Sequence, residues 1–321
     1  MKLSICTPTW NRESFLRLSL KQTLLQIDAD QLWDRVEVCI SDNGSTDNTV
    51  ETIEILKVQH PRVQIQQNRF QTNQGYSKNM DAAIRSANGE YVFLNGDDDT
   101  FRAAGVRDLL QQCEWITQSV VFVNNLRNGN GSLDQSTLDA NESLDFPNVT
   151  TALLAIGPFH PTFIGNFILR RQAYLDHFDE RLIKSIYPHT AIVFEILRDS
   201  QVNFRNFTCI NVDDSDRHIG DCSARGTAVD AARVQTEGHL LTLDNKATVF
   251  QFYKLFLRSV PRAILNQRTG KCPKAGGRYA SLSFGNLCNV YRGSRLAQIV
   301  VVNLWLIASF APKSLLRRVL K

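Results

Sequence analysis

Gly89-Glu90-Tyr91-Val92-Phe93-Leu94-Asn95-Gly96-Asp97-Asp98-Asp99 divides into two chemically opposite halves. Tyr91 to Leu94 is an unbroken run of aromatic, β-branched and aliphatic residues, the pattern of a buried strand. Three consecutive carboxylates then follow the turn-forming pair Asn95-Gly96. Adjacent like charges repel, so acids packed at the end of a buried strand call for a positive partner. Carboxylate oxygens suit a hard divalent cation, Mg²⁺ or Mn²⁺, held by one or two carboxylates together with substrate phosphates. A solvated Asp-rich turn or a helix N-cap is the other reading, since Asp suits both. On this stretch alone both readings stand.

Outward from it, the first half of the chain alternates strand and helix. Leu3 to Thr7 reads as a strand closed by Pro8, and Val36 to Ser41 as a second. Val63 to Gln66 reads as a short third strand and Val120 to Val123 as a fifth. Between them, apolar residues recur at helical spacing over Glu13 to Gln26, through Ile53 and Leu56, over Gly75 to Asn88, and near Ala103 to Gln118. Ser45 or Thr46 is positioned to cap the second helix. This alternation predicts an α/β fold of right-handed βαβ units with a parallel sheet covered on both faces. Ligands of such sheets bind beyond the carboxyl ends of the strands.

Three strand ends carry unusual residues: Thr7-Pro8-Thr9-Trp10-Asn11-Arg12, Ser41-Asp42-Asn43-Gly44, and the acid cluster. On one edge of a parallel sheet they would offer a surface for a base, a carboxylate for a base or ribose, and a metal for a diphosphate. No GxGxxG follows the first strand and no GxxxxGK[ST] occurs, so neither a dinucleotide fold nor a Walker loop is indicated. Asp42-Asn43-Gly44-Ser45-Thr46 also suits a plain turn and cap; repetition of the acid at a strand end favours a ligand role.

Composition bounds the rest. The 321 residues are 43% hydrophobic and 21% charged, with a net charge of +4, enough for one large or two modest domains. Lys313, Arg317, Arg318 and Lys321 concentrate positive charge at the end, leaving a near-neutral body without the footprint of a nucleic-acid binder. Seven scattered cysteines show no CxxC and no zinc spacing, and predict a reducing compartment. The first residues lack the apolar run of a secretory signal.

The polar stretch 125–150 reads as a loop and a seam. Beyond it, Phe163 to Leu169 and Val202 to Ile210 read as strands, and Arg171 to Asp179 and His189 to Arg198 as helices. The loop Asp213 to Asp221 has the composition of a calcium loop but lacks the spaced Gly and terminal Glu of an EF-hand; it reads as an acceptor-side or lid loop. Helical patterns recur from Val229 onward. Leu296 to Pro312 is apolar, just short of the roughly 20 residues that span a bilayer. With the basic tail behind it, this end predicts peripheral contact with an anionic cytoplasmic membrane face; a buried helix with a solvated end is the plainer alternative.

Taken together, Ser4 to Arg12, Ile40 to Thr49, Asn73-Gln74-Gly75 with Asn79, and Asn88-Gly89-Glu90-Tyr91 with the acid cluster resemble family 2 glycosyltransferases of the GT-A fold. Ser185 to His189, with Phe163 to Arg171 before and Asp213 to Asp221 after, is similar to abequosyltransferase-type enzymes of bacterial O-antigen synthesis. The resemblance implies a Rossmann-like mixed sheet flanked by helices over residues 1–225. Residues 1–124 would be the nucleotide half and 125–225 the acceptor half, with a helical, membrane-associating extension over 226–321. It implies transfer, with inversion, of a sugar from a UDP-, CDP- or dTDP-linked donor to a lipid-linked glycan, assisted by Mg²⁺ or Mn²⁺.

Residue by residue, Thr7, Pro8 and Trp10 would line the base pocket, with Trp10 where the family usually has a tyrosine. Arg12, Lys78 and Asn79 would also lie on the nucleotide, and Asp42 would hold the base or ribose. Asp97 and Asp98, with Asp99 as an extra acid, would serve metal and donor sugar. The chain departs from the family at Asn95, where many members carry an acid, and at Pro188-His189-Thr190, where many relatives carry a Glu-Asp pair. An inverting transfer needs a base for the acceptor hydroxyl, and His189 is the first candidate, since an unperturbed imidazole titrates near ~6.5. A helix-capping or packing role is its plain alternative; Asp179, Glu180 and Asp216 are other candidates for the base. The two departures also fit a catalytically silent nucleotide-sugar-binding or scaffold protein on the same fold.

Overall fold

The computed structural model describes residues 1–125, 133, 137–157, 160–182 and 187–211, with the single positions 303, 310 and 312. The chain divides into two compact units, Met1–Asp213 and Asp214–Lys321, and every element below belongs to the first. The acid-rich loop 213–221, the helices expected beyond 226 and the basic tail lie outside the described residues. Among the described residues no helix is long and apolar enough to cross a membrane.

The order is β1 (Leu3–Thr9), α1 (Glu13–Ala29), β2 (Val36–Asp42), α2 (Thr49–Gln59), β3 (Gln64–Arg69), α3 (Tyr76–Ser86) and β4 (Tyr91–Leu94). It continues with β5 (Thr100–Phe101), α4 (Gly105–Trp115), β6 (Val120–Val123), β7 (Ser143–Phe146), α5 (Val149–Ile156) and β8 (Phe167–Arg170). It closes with α6 (Arg171–His177), α7 (Pro188–Ile196), β9 (Val202–Arg205) and β10 (Ile210–Asn211). Eight strands form one mixed sheet in the order β3-β2-β1-β4-β8-β6-β9-β7, and β10 pairs with β5 in a second, two-stranded one.

The first four strands are mutually parallel, with Cys6 opposite Cys39 and Thr9 opposite Asp42 across β1 and β2. This follows from sequence: β1, β2 and β4 are buried along their whole length, as strands covered on both faces must be. One face is sealed by Leu16, Leu20, Leu24 and Ile27 of α1 and Val106, Leu109 and Leu110 of α4, packed with Ile5, Val38 and Phe93. Each such side chain contributes roughly 1.5–3 kcal/mol when fully removed from water. On the site's side of the fold, α3 packs on β1 and β2 and buries Met80, Ala83 and Ile84.

The parallel expectation fails past β4. Strand β8 enters antiparallel between β4 and β6, so β6 is parallel to β4 without touching it in the ladder. A pairing between residues this distant in sequence leaves no local signature. The expected strand over Phe163 to Leu169 begins late, because Ile164–Asn166 form a 3₁₀ turn before β8. The expected return strand over Val202 to Ile210 is two strands serving different sheets, β9 beside β6 and β7, and β10 beside β5. The stretch 125–150, expected to be a loop, holds the edge strand β7, and α5 begins at its end, capped by Asn148, whose Oδ1 accepts the Thr151 N–H at 2.9 Å. Neither Ser45 nor Thr46 caps α2. Asp47 accepts the Thr49 N–H instead, and also the Glu13 N–H that opens α1.

Candidate active site

Because β1, β2 and β4 run parallel, their C-terminal ends share one edge. Three asparagines stitch the loops there. Asn11, in the left-handed region at φ 52°, donates its N–H to Ser45 Oγ at 2.8 Å, and its Oδ1 accepts the Thr46 N–H at 2.7 Å. Asn43 donates to Asn73 Oδ1 at 3.0 Å and accepts the Gln74 N–H at 2.8 Å. Asn73 Oδ1 also accepts the Gly75 N–H at 2.8 Å. Gly75 then turns the chain into α3 at φ +86°, a conformation that costs glycine little. The motif residues of three loops are thus one hydrogen-bonded rim, and it delivers Tyr76 to the site as the first residue of α3.

The acid turn sits within that rim. Arg12 supplies the positive partner: its Nε lies 2.9 Å from Asp97 Oδ1 and its Nη2 2.6 Å from Asp98 Oδ2. The guanidinium also stacks over Phe15, 4.3 Å from the ring centre. Thr9 Oγ1 donates to Asp97 Oδ2 at 2.8 Å, while the Thr9 carbonyl accepts from Asn79 Nδ2 at 3.1 Å. Burial pushes the Asp97 carboxyl up to about 6, and the Asp98 charge adds to this. Arg12 and Thr9 pull the other way.

Asn95 explains itself in this geometry. Its Nδ2 donates to the Gly96 carbonyl at 3.0 Å and the Asp99 carbonyl at 3.1 Å, and Ser19 of α1 donates to the same Asp99 carbonyl at 2.6 Å. A carboxylate has no proton to give two carbonyls, so the amide holds the turn closed where an acid could not. A Cβ built on Gly96 would meet Asp99 Oδ2 at 2.7 Å and Asp98 Oδ1 at 2.8 Å. Two carboxylates therefore turn one oxygen each to a single point that only glycine leaves open. That oxygen pair fits a hard divalent ion sharing its sphere with phosphates. No group of three or more His, Cys, Asp or Glu stands ready to hold an ion among the described residues, so protein side chains alone do not complete a shell.

Asp42 is fully enclosed. Its carboxylate accepts the Ser45 N–H, at 3.1 Å and 3.3 Å to the two oxygens, and Arg69 Nε stands 3.3 Å away. The turn reading of this motif is realised in these contacts. Thr7 and Pro8 are buried within β1, Trp10 is 47% exposed at its end, and Lys78 lies exposed on α3. Those residues and the acids lie at the ends of adjacent strands or on the helix between them.

His189 enters from the second half of the unit. It is 5% exposed in the first turn of α7, begun by Pro188. Phe167 lies parallel to its ring at 6.2 Å, while Tyr187 and Tyr76 meet it edge-on at 5.9 Å and 6.1 Å. The Tyr76 hydroxyl stands 3.4 Å from His189 Nδ1. Of the other base candidates, Asp179 is engaged by Arg181, and Asp216 lies outside the described residues.

Sequence reasoning missed Thr9, Ser19, Arg69 and Tyr76. The last had a signal: it lies four residues before Met80, on the same helical face as Met80, Ala83 and Ile84. Arg69 was hidden because β3 reads Gln-Ile-Gln-Gln-Asn-Arg, too polar to be followed to its end.

A model of the family described as glycosyl transferase family 2 matches residues 4–178. The abequosyltransferase RfbV of Salmonella typhimurium is 27% identical over 212 residues, 61% of either chain. The alignment thus spans about three fifths of that relative's length. A GalNAc(5)-diNAcBac-PP-undecaprenol β-1,3-glucosyltransferase of Campylobacter jejuni is 29% identical over 111 residues, 35% of this chain and 34% of that one. Among solved structures, S. aureus TarS 1–349 in complex with UDP superposes with a TM-score of 0.55 at 15% identity, covering 96% of this chain and 90% of that one. The mannosyltransferase PcManGT from Pyrobaculum calidifontis, in complex with GDP-Man and Mn²⁺, gives 0.55 at 17% identity, covering 96% and 85%. Both likenesses are likenesses of fold.

Proposed function

The chain belongs to glycosyl transferase family 2, and from that premise we propose that it is an inverting, metal-dependent glycosyltransferase. It would move a sugar from a UDP-, CDP- or dTDP-linked donor to a glycan of bacterial surface polysaccharide. The observation that carries this reading is the convergence of the β1, β2 and β4 ends, which sets an exposed Trp10, the enclosed Asp42 and the Arg12-bridged acids along one edge. Mg²⁺ or Mn²⁺ would be held by Asp98 and Asp99 with the donor phosphates, and would neutralise charge on the departing diphosphate. Asp97, buried and bonded to Thr9, would face the donor sugar. Arg12 keeps the acids together and would exchange part of that role with the cation. Trp10, Thr7 and Pro8 would frame the base, and Lys78 and Asn79 the nucleotide beside it. His189 would take the acceptor proton.

A lipid-linked acceptor and a place at the inner face of the plasma membrane belong to the same proposal. They are supported by the lipid-linked glycan in the name of the Campylobacter relative and by the apolar, basic character of residues 296–321. The rival reading, a silent nucleotide-sugar binder on the same fold, rests on Asn95 in place of the family's acid and on Pro188-His189-Thr190 in place of its Glu-Asp pair. A thermal-shift panel of UDP-, CDP- and dTDP-glucose with Mn²⁺ tests donor binding, because a ligand of the folded state raises its melting temperature. One nucleotide is expected to stand out, and to do so more with Mn²⁺ than with EDTA. A flat panel under both conditions contradicts both readings.

A further inference from the structure

We propose that Tyr76 is the proton relay through which the acceptor hydroxyl reaches His189. The proposal rests on the reading of His189 as the base. A base must come within hydrogen-bond reach of the proton it takes, directly or through one intermediary. His189 is 5% exposed, walled by Phe167, Tyr187 and Tyr76. Tyr76 is 40% exposed, yet its hydroxyl lies 3.4 Å from His189 Nδ1. It is thus a partly exposed neighbour that presents the imidazole with an O–H. The contact is longer than a settled hydrogen bond, as catalytic contacts often are before substrate closes the site.

Position and electrostatics agree. Gly75 fixes the start of α3 through Asn73, so Tyr76 is held at the rim rather than on a free loop. Partial burial and the Asp97 charge both push the phenol well above its ordinary range. Tyr76 is therefore a poor resting base that keeps its proton, which suits a group that passes one proton on as it receives another.

The step balances. The acceptor oxygen forms the new bond to the anomeric carbon, and the bond from that carbon to the diphosphate breaks with its electron pair on the diphosphate. The acceptor proton passes to the Tyr76 oxygen while the Tyr76 proton passes to Nδ1, leaving neutral tyrosine and imidazolium. This needs the neutral imidazole with its proton on Nε2, so that Nδ1 accepts. After the product leaves, the imidazolium returns its proton to solvent back through Tyr76.

The test uses the full-length chain, Mn²⁺ and whichever of UDP-, CDP- and dTDP-glucose is hydrolysed fastest, with water as acceptor. Tyr76→Phe keeps the ring and removes the relay atom. It is expected to lower kcat about 100-fold, the lower range of general acid–base effects, while the affinity for the free nucleoside diphosphate stays within about twofold of wild type. His189→Ala should fall as far, and the double variant no further, since the two act in series. A proton inventory in mixed H₂O and D₂O should show two transferring protons in the wild type, a signature that a merely structural tyrosine would not give. Wild-type kcat in Tyr76→Phe with a deep loss in His189→Ala overturns the relay and leaves the base standing. Wild-type kcat in both overturns the base. Losses that multiply in the double variant overturn the series arrangement.

Discussion

Asp98 and Asp99 each turn an oxygen to the point above Gly96, and the absence of a side chain there leaves that point open. Gly96→Ala would drive a methyl group between the two oxygens without touching the core. The expected outcome is a rise of about 10–100-fold in the Mn²⁺ concentration needed for half-maximal donor hydrolysis, the range for disturbed support of a metal ligand, with the melting temperature of the metal-free protein nearly unchanged. An unchanged metal requirement would remove this pair from the cation site. At this scale the sequence was informative about residue type and silent about partners. The acids demanded a cation, and Arg12 shows one answer already within the chain. Asn95 stood out as a departure from the family, but its role as the amide donor to two carbonyls depends on where the Asp99 backbone turns, which no local pattern encodes.

Among the elements, the parallel half was legible and the second half only partly so. Strands β1, β2 and β4 are apolar runs, and α1, α3 and α4 carry their periods plainly. Strand β7 lies in an Asn- and Gly-rich region, and β8 is placed by antiparallel contacts with β4 and β6, which are far away in sequence. Strand β2 also carries a fully buried Glu37 that no apolar pattern anticipates. Its carboxylate accepts from the Ser4 hydroxyl at 2.6 Å, from the Asn88 and Gly89 N–H groups at 2.5 Å and 3.1 Å, and from Asn88 Nδ2 at 3.2 Å. It ties the entry of β4, and so the acid turn at its other end, to β1 and β2. Glu37→Ala leaves those donors buried without an acceptor and should cost about 3 kcal/mol or more in urea unfolding; a loss under ~1 kcal/mol would deny the tie.

His160 plays a comparable part across the sheet's far half. It is wholly buried, with Nε2 2.7 Å from the Val123 carbonyl of β6 and its ring edge-on to Phe122 and Phe204. Burial lowers its pKa to about 4, against an opposing pull from backbone contacts. The unfolded chain therefore binds the proton first on acidification. Stability should be whole above ~6.5 and fall as pH drops from there toward about 4, by on the order of 3 kcal/mol for this group. Chemical unfolding of wild type and His160→Gln across pH 4–7 checks it: the variant is less stable at pH 7 but should lose distinctly less on acidification. Parallel curves would assign the acid sensitivity elsewhere.

For the whole molecule, the charge distribution carries a prediction about membrane contact. Lys313, Arg317, Arg318 and Lys321 follow an apolar stretch, and each basic residue near an anionic surface contributes about 1 kcal/mol at moderate salt. The full-length protein should sediment with phosphatidylserine vesicles, and changing all four residues to Glu should abolish this while donor hydrolysis in solution persists. Equal sedimentation of the two forms would contradict a membrane role for this end. Family membership fixes the scaffold; catalysis is the property that tests the account. The most direct measurement is release of free sugar from UDP-, CDP- and dTDP-glucose by the wild-type protein and by Asp98→Asn, each with Mn²⁺ and with EDTA. The account predicts turnover of at least one donor by the wild type, abolished by EDTA and lost in Asp98→Asn even where the nucleotide still binds. Nucleotide binding with no metal-dependent release from any donor would contradict it and leave a binding protein on a transferase fold.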